Sequence, residues 1–445
     1  MSVNACIMNT LEVNQALAAG NVTTPGVLPK VDALRLQSAV FGIDFGLRQL
    51  PREQGLLLIR GARQYGKSTW LQQQIQQTVA EFGPGSAFYA NGDEIRNDTE
   101  LEQTLTMLAS LFSPKAAVRR IFIDEITAVK HWEQALKRLL DRHELPGVLL
   151  VTTGSKASDL RHGAERLPGR KGKLARTQYL FTPVSFPEFE NACGHHLPEA
   201  DILPAYLLSG GSPPAILSLL ETGVIEPYVV EIVRDWIYGE IAAAGRSREL
   251  LLGVLECLYR FGGTPAGYAK LAREAGMANN TVAAGYIDQL TDLLCVAPSQ
   301  AWDAAASRPN RRRPCKFHFT NMLVAVAWHP RHIRRPEDFR LLTESEQGVL
   351  LEWAVAQECW RKAAWRGDEI PEQTAFWQSD RHELDIVLAP DQFIEIKRGR
   401  TGPLDFGWFA QAFPRARLTV VSATRFETDH IQGVTLRDFL SGNCS

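Results

Sequence analysis

The apolar run Leu56-Leu57-Leu58-Ile59 leads straight into Gly61-Ala62-Arg63-Gln64-Tyr65-Gly66-Lys67-Ser68-Thr69, and a stretch of helical spacing follows. A G-x4-G-K-S segment held between a buried strand and a helix leaves few folds open to a chain. Its glycines let successive backbone amides turn toward one point, and the helix that begins there adds the positive end of its dipole. The loop from Gly61 to Thr69 is therefore expected to cradle the phosphates of ATP. In that arrangement Lys67 reaches the β- and γ-phosphates, and the Ser68 hydroxyl is a ligand of Mg²⁺.

The surrounding pattern agrees with such a loop. Between residues 55 and about 180, five short apolar segments alternate with amphipathic ones: LLLIR, SAFYA, RRIFID, GVLLVTT and TQYLF. That alternation predicts a mostly parallel α/β sheet. The third strand ends in Asp124-Glu125, some 57 residues beyond Lys67. Asp124 at a strand's end can hold the Mg²⁺ shell, and Glu125 is placed to activate the attacking water. At the end of the fourth strand, Thr153 or Ser155 can sense the γ-phosphate, although Ser155 also suits a helix N-cap. Downstream, "RLPGRKGKLAR" is rich in cations. Arg170 is the first choice for a group that neutralises transition-state charge, from the same chain or from a neighbouring copy.

Beyond residue 185 the pattern turns wholly helical to about 245, then shows helices closed by a short strand pair, then a second α/β unit from about 345. We divide the chain into a lead-in (1–54), a nucleotide-binding core (55–184), a helical lid (185–247), a helix-turn-helix segment (248–330) and a C-terminal α/β domain (331–445). A net charge of −2 excludes a uniformly basic nucleic-acid binder, so any such binding must rest on local patches. Seven cysteines occur singly, with no CxxC pair, which suggests reduced thiols. Cys193, His195 and His196 cluster, but no second ligand pair follows at zinc spacing. With no basic-then-apolar leader and no long apolar stretch, a cytoplasmic protein without membrane contact is expected.

Two further stretches carry chemistry. In "GYAKLAREAGMANNTVAAGYIDQLTDLLCV", Leu271, Ala272, Val282, Ile287 and Leu290 have the spacing of a helix-turn-helix core, with Gly276 at the turn. Asn279, Asn280 and Thr281 would open the second helix facing DNA, and Arg308, Arg311, Arg312, Arg313 and Lys316 would form a cationic wing against phosphates. The same segment can instead serve as an internal packing module. In "FWQSDRHELDIVLAPDQFIEIKRG", a hairpin places Glu395 and Lys397 on one face. A three-residue connection would set Asp385 opposite Glu395, and a two-residue one would leave them diagonal. With Glu352 from the preceding helix, the set Glu–Asp–Glu-x-Lys is that of the PD-(D/E)XK nuclease fold. There Glu352, Asp385 and Glu395 would hold Mg²⁺, and Lys397 would assist the attacking water.

The succession "GARQYGKST", "IFIDEI", "LLVTTGS", "LPGR", "PVSFPEF" and "YLLSGGSPPAI" resembles a group of prokaryotic AAA-superfamily ATPases with a C-terminal domain of unknown function, similar to the archaeal ATPase and signal-transducing NTPase lineages. The resemblance spans roughly residues 40 to 440. It implies an α/β protein with a P-loop ATPase core, a helical lid, a winged helix and a restriction-endonuclease-like tail. One departure stands out: relatives tend to carry an Asp after the "KFHF" strand, where this chain has Thr320-Asn321.

The leading expectation is an ATPase that gates a Mg²⁺-dependent nuclease acting on DNA, in defence or mobile-element processing. The alternative is a nucleotide-dependent switch that binds DNA or a protein partner without cleaving. A third possibility is an ATPase whose tail is a dimerisation module, giving a homo-oligomer.

Overall fold

The computed structural model describes residues 8–155, 174–368, 370–371 and 374–442. The chain divides into two compact units. The first comprises residues 1–40, 44–182 and 364–367, and the second residues 41–43, 183–363 and 368–445. The main boundary along the chain lies at 182/183. Among the described residues, no helix is long and apolar enough to cross a membrane.

The first unit is built on strands β1 (Gly55–Arg60), β2 (Ala87–Asn91), β3 (Arg119–Asp124), β4 (Val148–Gly154) and β5 (Gln178–Leu180). They form a parallel sheet in the order β2-β3-β4-β1-β5. β1 and β4 are buried along their whole length, as a doubly covered parallel sheet requires, which is why the runs 56–59 and 148–151 are continuously apolar. One face packs on the helix Asp98–Ser110, whose Leu101, Leu105 and Leu108 recur every three or four residues and are fully buried. Asn97 caps that helix by accepting from the Glu100 amide, a contact worth about 1 kcal/mol. Trp132, Leu136 and Leu139 of the helix Trp132–Asp141 complete the same core.

Most of the lead-in is part of this unit. Asn14, on the helix Thr10–Ala19, is buried against the outer strand β2. Its side-chain amide donates to the Tyr89 carbonyl and accepts from the Tyr89 amide, both at 2.8 Å. One asparagine thus satisfies an edge residue as a neighbouring strand would.

The second unit begins with the helices Phe186–Cys193, Glu199–Ser209, Pro213–Thr222 and Pro227–Ala243, in the stretch expected to be wholly helical. Gly211, in the Gly-Gly-x-Pro motif, has φ +71, and a Cβ there would lie 2.5 Å from the Val184 carbonyl. The helices Arg248–Arg260, Tyr268–Glu274 and Asn280–Asp292 come next, with Gly276 at the turn in a left-handed conformation. The strands are β6 (Val296–Asp303), β7 (Arg308–Asn310), β8 (Lys316–Phe319), β9 (Thr374–Gln378), β10 (Glu383–Ala389), β11 (Gln392–Ile396), β12 (Arg417–Val421), β13 (Phe426–Glu427) and β14 (Ile431–Val434).

These nine strands make one sheet, β13-β14-β12-β11-β10-β9-β6-β7, with β8 also paired to β6. The division drawn at residue 330 therefore matches no break in the sheet. β6 pairs antiparallel with β7 and β8 on the hairpin side and parallel with β9 of the C-terminal part. Thr320-Asn321 follows β8, and Asn321 caps the helix Met322–Ala327 by accepting from the Val324 amide at 3.2 Å. Asparagine thus fills the capping role an aspartate would have there.

Candidate functional site

The loop after β1 takes the expected shape. Gly66 has φ +95 and opens the helix Lys67–Phe82. A Cβ on Gly61 would stand 2.9 Å from Phe181, so both glycines are required by the backbone path. A cavity of about 360 Å³ lies against the loop, lined by Arg63, Gln64, Gly66, Lys67, Ser68 and Thr69, with Asp93, Glu125, Ser155 and Lys30 on the remaining sides. Ala62 and Tyr65 are buried, so only their backbone can serve a ligand.

Lys67 is buried, and its ammonium donates to the carbonyls of Gly61 (2.9 Å) and Ala62 (2.7 Å). Burial pushes its pKa down to about 8, while Glu125 and Asp124 pull the other way. A triphosphate favours the charged form. ATP affinity is therefore expected to be highest below pH 8 and to fall by up to tenfold per unit as pH rises above it. Equilibrium titrations across that range read the effect, and a flat profile would mean that the Lys67 charge does not meet phosphate.

The strand order explains how the acidic pair is held. β4 lies between β1 and β3, so its polar C-terminal end stands between the loop and Asp124-Glu125. Thr153 donates to the Asp124 carboxylate at 2.5 Å and accepts from the Glu125 amide at 3.2 Å. Ser155 donates to Glu125 twice, from its amide (2.8 Å) and its hydroxyl (2.6 Å), and Thr127 adds a third donor at 2.9 Å. Burial acts to raise the Glu125 pKa, but these hydrogen bonds and Lys67 hold it below the usual value. Glu125 is thus an ionised carboxylate at neutral pH. Its backbone is left-handed (φ +51), a strained conformation for glutamate and one that recurs at functional turns.

Both candidates at the end of β4 are therefore engaged: Thr153 with Asp124, and Ser155 with Glu125. Ser155 also accepts from Arg63 of the loop at 3.2 Å. The Ser68 hydroxyl, Asp124 and two phosphates would give the all-oxygen ligand set that Mg²⁺ prefers. Arg170 lies outside the described residues.

Two residues of this site escape a reading of the sequence. Asp93 follows the end of β2, where burial and the charges of Glu125 and Asp124 raise its pKa. The rule that parallel sheets bind ligands beyond their strands' C-terminal ends could have pointed to it. Lys30 carries no comparable signal.

In the second unit, the turn after β10 holds only Pro390 and Asp391, but a bulge between Val387 and Ala389 shifts the register. With Ile386 facing Ile394, Asp385 falls opposite Glu395, the pairing expected of a longer connection. The Asp385 amide donates to Glu395 (3.3 Å), and the Ile396 amide donates to Asp385 (2.9 Å). Lys397 pairs with Glu395 at 2.5 Å. The four expected residues thus lie in one region, since Glu352 also approaches through a shared partner.

That partner corrects one expectation. Lys316 is not a cation of the exposed wing: it is 1% exposed, on β8. Its ammonium lies 2.8 Å from Asp385 and 3.3 Å from Glu352, and it also pairs with Glu383. His318, two residues on along the same strand face, meets Glu352 at 2.9 Å. Burial alone would lower the Lys316 pKa, but Asp385, Glu352 and Glu383 raise it well above its ordinary value. Burial and the neighbouring Asp385 push Glu395 up to about 8. Among the described residues, no three His, Cys, Asp or Glu side chains are arranged to hold a metal ion. The carboxylates instead close around an ammonium, so this cluster as it stands does not fit a bound Mg²⁺. Two polar residues at alternate positions of a buried strand, Lys316 and His318, were the sequence signal for this role.

Arg311, Arg312 and Arg313 are exposed in the break between β7 and β8. Asn280 and Thr281 are also exposed at the start of their helix. Asn279, by contrast, is used as its N-cap, accepting from Val282 at 3.0 Å.

Residues 53–190 match the AAA domain family. An uncharacterised protein of Methanocaldococcus jannaschii is 30% identical over 113 residues, 25% of this chain and 23% of that protein's length. The chain therefore spans only about a quarter of the curated relative it matches. Among solved structures, a Walker-type ATPase of Pyrococcus abyssi is 14% identical, with a TM-score of 0.44 over 62% of this chain and 91% of the other. The Orc1 protein of Aeropyrum pernix, solved in complex with DNA, gives 15% identity and a TM-score of 0.33 over 73% and 98%. RuvB of Thermotoga maritima gives 16% and 0.32 over 66% and 90%. The first unit carries an AAA-type P-loop ATPase core.

Proposed function

We propose that this protein is an ATP-hydrolysing AAA-type switch that binds DNA without cutting it. ATP would sit on the Gly61–Thr69 loop with Mg²⁺ at Ser68 and Asp124, and Glu125 would orient the attacking water. Its hydrogen bonds to Ser155 must then loosen or turn, which ties the catalytic carboxylate to Arg63 and the phosphates. Arg170 remains the proposed source of positive charge for the transition state.

The helices 248–292 with the hairpin of β6, β7 and β8 are read as a winged helix. Asn280 and Thr281 would face the groove, and Arg311, Arg312 and Arg313 would contact phosphates. The observation that carries the non-cleaving reading is Lys316, whose buried ammonium occupies the centre of the carboxylate cluster.

A second reading, a Mg²⁺-dependent nuclease with Glu352, Asp385 and Glu395 as ligands and Lys397 beside the attacking water, is supported by the pairing of Asp385 with Glu395 and by the Lys397 contact. It requires Lys316 to leave the cluster.

The DNA contact is tested by salt. Changing Arg311, Arg312 and Arg313 together to Ala is expected to weaken DNA binding equally across sequences. The log-log salt dependence should flatten by about one unit per lost phosphate contact. Unchanged affinity at low salt would leave the segment a packing module.

A further inference from the structure

We infer that a stack of three aromatic rings on the C-terminal sheet is a nucleobase platform, so that this unit holds single-stranded DNA. The inference rests on the reading of the unit as DNA-binding and names the strand form. The His382 ring lies on Trp408 with centroids 4.0 Å apart and planes 9° from parallel. Trp408 in turn stacks on Trp377 at 5.7 Å and 20°. The three residues come from separate segments: Trp377 from β9, His382 from the residue before β10, and Trp408 from the connection to β12.

Aromatic pairs pack both offset-stacked and edge to face: Trp377 meets Phe413 edge to face and Trp408 face to face, and all three pack against the core of this unit. The His382–Trp408 pair runs parallel at close to the spacing of stacked bases, the Trp377–Trp408 pair is wider, and all three rings are partly exposed, so the outer face of His382 is the one offered to a base. Leu404, four residues before Trp408, is 94% exposed.

Charge complements the rings. Arg381 adjoins His382 in sequence, Arg400 and Arg415 lie on the segments either side of Trp408, and Arg417 opens β12. All four side chains are exposed and, among the described residues, carry no ion pair. Of the acids close by in sequence, Asp405 is engaged in accepting from the Gly402 amide. Exposed rings beside unpaired arginines are the elements that bind single strands: the bases stack and the cations follow the backbone. A duplex offers no free base face to such a surface, so the strand form follows from the geometry.

Fluorescence anisotropy of the full-length protein with a homothymidine oligonucleotide, and separately with a mixed-sequence duplex, tests this. His382→Ala and Trp408→Phe are each expected to weaken single-strand binding by about tenfold, with duplex binding changed less than about twofold. Oligonucleotide binding should also quench tryptophan emission in the native protein and quench it less in Trp408→Phe. The arginine variant of residues 311–313 should show the reverse preference and lose duplex binding first. If both ring variants bind the single strand as tightly as the native protein, the platform is overturned while the DNA reading stands. If the native protein binds neither nucleic acid, both are overturned, and the surface is left to a protein partner.

Discussion

Replacing Lys67 with alanine is expected to abolish ATP hydrolysis and to weaken ATP binding sharply. The ammonium is buried at the floor of the cavity and bonded only to the carbonyls of its own loop. It is therefore free to exchange those contacts for phosphate oxygens when a nucleotide enters. Alanine removes a buried cation from the phosphate site and leaves Arg63 and Lys30 as the other cations lining it, and removing one such group typically costs 10²- to 10³-fold in turnover. Glu125→Gln should separate the two effects. It keeps a side chain that Ser155 can hold, so ATP still binds, but it cannot take a proton from water. Nucleotide titration together with phosphate release measures both. A Lys67→Ala protein that hydrolyses ATP at the native rate would show that the loop has been misread.

The second large effect is expected in the other unit. Lys316→Met should destabilise it by about 3–5 kcal/mol, because Asp385, Glu352 and Glu383 would be left around a vacated, buried point with no counter-charge. For a unit of this size that corresponds to a fall in melting temperature on the order of 10 °C. The loss should respond to divalent cations. Mn²⁺ or Mg²⁺ should restore part of the melting temperature of the variant while leaving the native protein unchanged, since there the ammonium already supplies the charge. Equal responses of the two proteins to Mn²⁺, or a variant as stable as the native protein without metal, would remove Lys316 from the role assigned to it.

The first unit was legible because its signals are local. A strand, a glycine loop and a helix in succession fix the phosphate site within nine residues. The alternation of apolar segments then gives five parallel strands at the expected places, with RRIFID matching β3 residue for residue. What stayed hidden depended on pairing across long separations. Lys316 looks like one more wing cation beside Arg311–Arg313, and only the pairing of β8 with β6, and of β6 with β9, brings it to Asp385, 69 residues further on. The register at Asp385 was likewise undecided, because a bulge near Leu388 makes a two-residue turn behave as a longer one. Glu383 is unremarkable within its own segment, whereas Lys316 and His318 alternate on β8 but show their burial only once the sheet is formed. Periodicity reports which face a residue occupies, but not which distant strand shares that face.

The proposed protein is an ATPase whose carboxylate cluster is closed by its own lysine. Both properties are tested most directly by incubating the purified protein with single- and double-stranded DNA and Mg²⁺ or Mn²⁺, with and without ATP, while phosphate release is followed in the same tubes. The expected result is steady ATP hydrolysis with both DNA forms left intact in every combination. Metal-dependent cleavage that Asp385→Ala abolishes, with ATP hydrolysis unaffected, would contradict the account and establish the nuclease in its place.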